Sequence, residues 1–376
     1  MKDLIIFGED WGGHPSTAQF IAKELLRKNK CRILWVDSLG QRVPHIDKKD
    51  VGRMINKIIN FLAGLKNPTN NLFVFTPLLI PLQKYPIIRA FNGMLLRLYI
   101  KYYIKKLHLK GFTLMLAGPL AEPVIGKLGE DKSVYYCADE YGTMPGVSEL
   151  LIEESENRLS KKISNVIVVS KNLLEHKRKL YSNIDYIPHG VDYHHFSKTL
   201  SDNTIINERM KSFDGPVLGY HGLIQDLIDI DLLEMIAENK PDWNIVLIGK
   251  VIFNATRIPR KPNIYLLGEK PFSEIPSYIK RFDVGLIPYK ITKRTLFANP
   301  IKLREYLAAG IPVVSTDLPE VSGYSPHVKI GKNANEFVTA SEDFIKNANV
   351  KLKKARAELM QEESWNKISE RIFMRL

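Results

Sequence analysis

Short, continuous apolar runs recur along this chain, separated by segments in which apolar residues return every three or four positions. Leu4–Phe7, Ile33–Val36, Leu72–Phe75, Phe112–Ala117, Val134–Cys137, Val166–Val169 and Tyr186–Pro188 form a first series. Positions 217–220, 245–248, 264–267, 284–287 and 313–315 form a second. Runs this short, bounded by turn residues, read as strands buried on both faces. Between them lie helical patterns. Ser16 caps a helix with Phe20, Ile21, Leu25 and Leu26 on one face, 51–64 and 87–109 are helical, and Ser170 caps 171–181. Strands alternating with helices predict parallel sheets, so the fold class is α/β with two Rossmann-like domains. The polar stretch Lys198–Gly215 lacks periodicity and reads as the linker. The division expected is 1–197, 198–357 and a final segment 358–376.

At 376 residues the chain exceeds one typical core, which agrees with two domains. A formal net charge of +13 calls for a partner that is anionic somewhere. No zinc finger, single-stranded-RNA signature or basic recognition helix with a zipper is present, so nucleic acid is not expected. Cys31 and Cys137 lie in strand contexts without metal-ligand spacing, as buried reduced thiols do. The apolar N-terminal run is too short for a signal peptide. No window approaches the ~20 apolar residues that span a bilayer. The expected location is therefore cytoplasmic.

The most informative stretch is Asp283 to Thr316. Val284–Ile287 is a strand ending at Pro288, followed by a loop carrying Tyr289, Lys290, Lys293 and Arg294. Asn299 followed by Pro300 reads as a helix start, with Asn as the cap and Pro in the first turn, and the helix runs through Ala309 before Gly310. A helix N-terminus favours phosphate, and Lys302 adds a cation in the first turn. Glu305 lies on the same face three residues on, while Leu303, Tyr306 and Leu307 turn toward the core. A carboxylate one turn beyond an anion site can accept two hydrogen bonds from ribose. The competing reading is a solvated Lys302–Glu305 pair contributing ~0.2–0.5 kcal/mol.

NPIKLREYLAAGIPVVST resembles the nucleotide-sugar-binding signature of GT-B fold glycosyltransferases of family four (group 1), the teichuronic-acid and xanthan glucuronosyltransferase-like polysaccharide enzymes. Ile187–Asp192 with Phe196 resembles that family's IPNGVD segment, with His189 in the usual Asn place. Val217–Gly222 resembles the strand and glycine loop that open its nucleotide-binding domain. The resemblance implies a cleft between the two domains and a C-terminal helix, around Ser364-Trp365, that crosses back to the first. It implies a donor site of Glu305, Lys302, Asn299, Pro300, Ile301, Gly222, Arg294 and Tyr289, with no catalytic metal and no cofactor beyond the nucleotide sugar itself, a UDP-sugar. It also places Gly12, Gly13 and His14, in the loop after the first strand, on the acceptor side.

Asp139 follows the strand Val134–Cys137 in a loop with Gly142 and Gly146. A carboxylate there is positioned as a general base, and equally as a turn cap; the resemblance favours the base. Asp229-Ile230-Asp231 opens an amphipathic helix, where the dipole favours acid, rather than holding a metal. His194-His195 reads as structural. Two departures from the family pattern stand out. Phe297 occupies the place of a Glu found in retaining members, and Leu223–Asp231 lacks the usual Arg and Lys.

The function expected is transfer of a sugar from a nucleotide diphosphate donor to a hydroxyl of a growing, lipid-linked glycan. The alternatives are a nucleotide-sugar 2-epimerase of the same fold and an inactive membrane-associated assembly factor. A membrane partner is suggested by 87–110, where Leu95, Leu98, Tyr99, Tyr102 and Tyr103 form a stripe flanked by Arg89, Arg97, Lys101, Lys105, Lys106 and Lys110. Packing of that stripe inside the first domain is the other reading. The expectation is peripheral association with the anionic inner face of the cell membrane.

Overall fold

Each of the seven apolar runs of the first half forms or overlaps a strand, the last only at Tyr186, in the computed structural model, which describes residues 1–13, 16–40, 48–252 and 259–376. They are β1 (Lys2–Phe7), β2 (Cys31–Val36), β4 (Leu72–Phe75), β5 (Thr113–Leu116), β6 (Lys132–Cys137), β7 (Asn165–Val168) and β8 (Ile184–Tyr186). A short edge strand, β3 (Lys66–Thr69), was not legible in the pattern because it is polar and exposed. The order is β3-β4-β2-β1-β5-β6-β7-β8, with every neighbouring pair parallel except β3 with β4. Leu4, Ile5, Ile33, Leu34, Val166 and Ile167 have no exposed surface, as strands covered on both faces require.

The first unit's helices are α1 (Thr17–Arg27), α2 (Lys48–Leu62), α3 (Pro86–Lys106), α4 (Glu149–Leu159) and α5 (Lys171–Lys177). Ser16 and Ser170 cap α1 and α5, accepting the N–H of Gln19 and Leu173. Cys31 and Cys137 are free and buried, and burial pushes both thiols up to about 12.

The second unit contains β9 (Val217–His221), β10 (Asn244–Ile248), β11 (Ile264–Gly268), β12 (Val284–Ile287), β13 (Val313–Ser315) and β14 (Val328–Ile330), ordered β11-β10-β9-β12-β13-β14 and all parallel. Its helices are α6 (Tyr193–Phe196), α7 (Glu208–Lys211), α8 (Ile230–Asn239), α9 (Ile275–Ile279), α10 (Lys293–Phe297), α11 (Ile301–Ala308), α12 (Ala334–Lys346) and α13 (Val350–Leu359). Counted within the unit, the strands run third, second, first, fourth, fifth, sixth. That is the Rossmann order, and the direction of winding reverses between β9 and β12.

The compact units are Met1–Pro188 with Ile368–Leu376, and His189–Lys367. The divisions therefore fall at 188/189 and 367/368 rather than at 197/198 and 357/358. Residues 189–197 belong to the second unit because Val191 and Phe196 enter its core. Gly190 is what the turn requires there: a Cβ at that position would lie 2.5 Å from the Trp365 ring. The expected linker is likewise part of the second unit, since Met210 and Phe213 are core residues and the Thr199 hydroxyl donates to the Ala309 carbonyl at 2.8 Å. A last helix, α14 (Trp365–Phe373), leads into residues of the first unit, where the Thr113 hydroxyl donates to the Leu376 carbonyl at 3.0 Å.

Candidate active site

The reversal point of the second unit brings the loop after β9 against α11, the second helix after β12. α11 begins at Ile301, with Pro300 in the capping position and no side-chain cap. Asn299 does not cap this helix. Its side-chain oxygen instead accepts from Arg304 Nη1 at 2.6 Å, and its amide donates to Glu320 at 3.4 Å. The reason is a stronger competitor: a guanidinium with no exposed surface outbids a first-turn N–H for the amide oxygen. Arg304 also donates to Glu363 at 2.6 Å and to the Tyr324 hydroxyl at 2.8 Å, and that hydroxyl in turn donates to Glu363 at 2.9 Å. This network anchors the start of α11 to the end of the unit.

Lys302 and Glu305 do pair, with Nζ 2.7 Å from Oε2. The pair is not solvated, because Glu305 is only 7% exposed. Burial pushes the Glu305 carboxyl above its ordinary value, and Lys302 opposes the shift. Leu303, Tyr306 and Leu307 are fully buried, as their spacing predicts. Across from the pair, Gly222 takes φ +134°, and a Cβ on it would lie 2.8 Å from Lys302 Cε. Its N–H is already given to the Ile248 carbonyl at 2.9 Å. Gly222 thus contributes space for the lysine rather than a donor for phosphate.

His221 is a site residue the sequence reasoning missed, although it stands directly before that glycine. Its Nε2 lies 3.3 Å from Glu305 Oε2 and has no hydrogen-bond partner. Its backbone N–H donates to the Tyr306 hydroxyl at 3.0 Å. Burial, reinforced by Lys302, holds its pKa well below the usual range, so the ring is neutral. His195 stacks on Phe272, ring centres 4.1 Å apart, as a structural residue would.

The basic loop is partly helical. Thr292 and Thr295 cap each other's backbone at the start of α10, which carries Lys293 and Arg294. Tyr289 is buried, and burial pushes its hydroxyl up to about 12, with the charge of Arg294 acting in the opposite direction. Phe297 ends α10 half-buried. Asp229 caps α8, accepting the N–H of Leu232 at 3.1 Å. Among the described residues, no group of three or more His, Cys, Asp or Glu side chains is arranged to hold a metal ion.

The first unit has its own carboxyl edge. Gly12 (φ +79°) and Gly13 follow β1, and Gly12 donates its N–H to Gln19 at 3.3 Å. His14 lies outside the described residues. Asp139 follows β6, half-buried, and its Oδ1 accepts the N–H of Glu140 at 3.1 Å. Beside it, buried Lys177 donates to Glu140 at 3.0 Å and Glu156 at 2.6 Å, so Glu140 is structural. Sequence reasoning also passed over Asp37, at the end of β2. That buried carboxylate accepts from Trp11 N–H at 2.9 Å and from the Thr76 hydroxyl at 2.5 Å, fixing the loop after β1.

Two Rossmann-like parallel-sheet units in one chain, with a cation–carboxylate pair at the reversal point of the second, define a GT-B fold. Residues 218–349, which lie within the second unit, match the family described as Glycosyl transferases group 1. TuaH of Bacillus subtilis (strain 168), described as a teichuronic acid biosynthesis glycosyltransferase, is 29% identical over 263 residues. The alignment covers 63% of this chain and 64% of TuaH, a little under two thirds of that protein. Among solved structures, sucrose-phosphate synthase from Thermosynechococcus elongatus matches 100% of this chain and 98% of its own, with TM-score 0.70 and 12% identity. The Anabaena protein HepE, solved with UDP and glucose, matches 100% and 99%, with TM-score 0.66 and 13% identity.

Proposed function

We propose that this chain is a glycosyltransferase that moves a sugar from a UDP-sugar to a hydroxyl of a glycan acceptor. The observation that carries the reading is the buried Lys302–Glu305 pair at the β9/β12 reversal point, with Gly222 opened toward the lysine. In this reading Glu305 receives the ribose hydroxyls and Lys302 turns to the diphosphate, joined by the first-turn N–H groups of α11 and by Arg294. Those groups stabilise the charge that grows on the leaving diphosphate as the sugar C–O bond breaks. The choice of uridine rests on HepE, solved with UDP and glucose, and on an E. coli structure described as bound with UDP-2-fluoro glucose.

The acceptor is taken to be a lipid-linked glycan, by analogy with the teichuronic acid assignment of TuaH. Asp139, and the loop of Gly12 and Gly13, are assigned to the acceptor side, with Asp139 deprotonating the hydroxyl in an inverting reaction. Such an enzyme would work peripherally on the inner face of the membrane, held through 87–110. The epimerase alternative is disfavoured, since both the family model and TuaH are described as glycosyltransferases. The test is UDP release from a panel of UDP-sugars with and without acceptor. Release that requires acceptor supports transfer; release from donor alone, or no UDP binding by calorimetry, overturns it.

A further inference from the structure

The surface of the first unit carries two rows of large apolar side chains that its packing leaves uncovered. On α2, Met54, Ile55, Ile58, Ile59 and Leu62 are 42% to 76% exposed and line one side of the helix. On α3, Ile87, Phe91, Met94, Leu98 and Tyr102 are 43% to 84% exposed, at spacings of four, three, four and four. This is not the stripe the sequence suggested. Of that stripe, Tyr103 is buried, Leu95 and Tyr99 are half-buried, and only Leu98 and Tyr102 face solvent. The two helices adjoin: Phe61 of α2 packs on Tyr99 of α3, ring centres 5.4 Å apart.

Charge distinguishes this region from the rest of the chain. From Val51 to Ala121 there is no Asp or Glu, while ten Lys and Arg occur. With 41 acidic residues in 376, a stretch of that length would ordinarily hold about eight. Four of the cations are engaged in ion pairs or hydrogen bonds: Arg89 pairs with Glu154 at 3.1 Å, Arg97 donates to the Gly93 carbonyl at 3.1 Å, Lys57 to the Ser38 carbonyl at 2.6 Å and Lys66 to the Asn60 side-chain oxygen at 2.8 Å. Lys101, Lys105, Lys106 and Lys110 are exposed.

We propose that α2 and α3 together form a docking surface for an anionic lipid leaflet, α2 supplying the apolar edge that inserts and α3 the lysines that meet headgroups. This rests on the membrane-facing part of the function proposed above, and adds a helix it did not include. An anionic bilayer interface offers acyl chains to the apolar rows and negative charge to the lysines beside them. A second copy of the chain would cover the apolar rows but set like charges against each other.

Vesicle sedimentation of the full chain tests it, using phosphatidylcholine alone or with added phosphatidylglycerol. Wild type is expected to bind only the anionic vesicles, and to release in high salt. Ile55→Glu with Ile59→Glu should lower binding at least about tenfold while the melting temperature holds, because both side chains are exposed. Full binding by that variant, while Lys101→Glu, Lys105→Glu and Lys106→Glu together release the protein, would overturn the role of α2. No binding by wild type, equal binding to both vesicles, or a dimer that the isoleucine changes dissociate would overturn the surface itself. UDP calorimetry on the same samples reads the second unit alone, so failure of the donor assignment shows separately.

Discussion

His221 Nε2 stands 3.3 Å from Glu305 Oε2, a buried neutral imidazole against a buried carboxylate whose same oxygen accepts from Lys302 Nζ at 2.7 Å. A carboxylate so placed is already oriented and already short of water. In the proposed donor complex it would exchange the lysine for ribose hydroxyls without first having to be stripped of water.

Nucleotide affinity should therefore depend on the ionisation of Glu305. Its folded pKa is raised, so in the free protein the carboxyl takes up a proton at a higher pH than an ordinary glutamate. UDP affinity should fall on acidification, beginning above pH ~4.5. Glu305→Gln should weaken UDP binding by about 1.5–3 kcal/mol and flatten the pH dependence. Calorimetry between pH 4.5 and 7.5 checks both, and unchanged affinity in the variant would sink the assignment.

Lys302→Met removes the cation but leaves the buried acid. The Glu305 pKa should rise further, and UDP should lose more affinity than uridine, since the missing partner is a phosphate contact. Parallel titrations with UDP and uridine measure the difference; equal losses would place Lys302 outside the diphosphate site.

Asp139→Asn should lower turnover by roughly 10²–10⁴-fold with UDP affinity near wild type, if Asp139 is the base. Product anomeric configuration by NMR gives the independent reading. Retention of configuration would remove the need for a base, leaving Asp139 to hold the Glu140 N–H.

Acid should unfold the second unit through its histidines. The pKa of His221 lies well below the usual range and that of His189 is lowered to about 3, burial being the main cause in each. Both groups bind protons in the unfolded chain below pH ~6.5 but not in the folded one, so stability falls as pH drops through that window. The slope is at most about 1.4 kcal/mol per pH unit for each histidine. Glu305 acts in the opposite sense, gaining protons first in the folded state. Melting temperatures from pH 7 to pH 4 should show the fall, and His221→Gln should reduce it.

Arg304 is the structural anchor of α11. Arg304→Met would leave Glu363 and Asn299 without their guanidinium and should cost roughly 3–5 kcal/mol. Chemical denaturation measures the loss. A loss below ~1 kcal/mol would show that the network is replaceable.

Much of this protein was legible along the chain because its causes are local. Apart from the polar edge strand β3, most strands are continuous apolar runs, and Leu303, Tyr306 and Leu307 follow the helical period. The glycine before Val191 and the glycine after His221 sit in short motifs whose backbone geometry travels with them. Even so, local signals misled at Asn299, where the capping rule is sound but Arg304 competes for the same oxygen. The Arg304–Glu363, His221–Glu305 and Asp37–Thr76 contacts join residues far apart in sequence, and no periodicity encodes which distant partner a polar group will meet. The amphipathic pattern of α3 likewise shows that one side is apolar without saying which side the sheet will cover. Tertiary packing decided that by burying Leu96, Ile100 and Tyr103 and leaving Leu98 and Tyr102 outside. Side-chain spacing fixes which residues share a face of a helix, whereas burial depends on what the rest of the chain brings against that face.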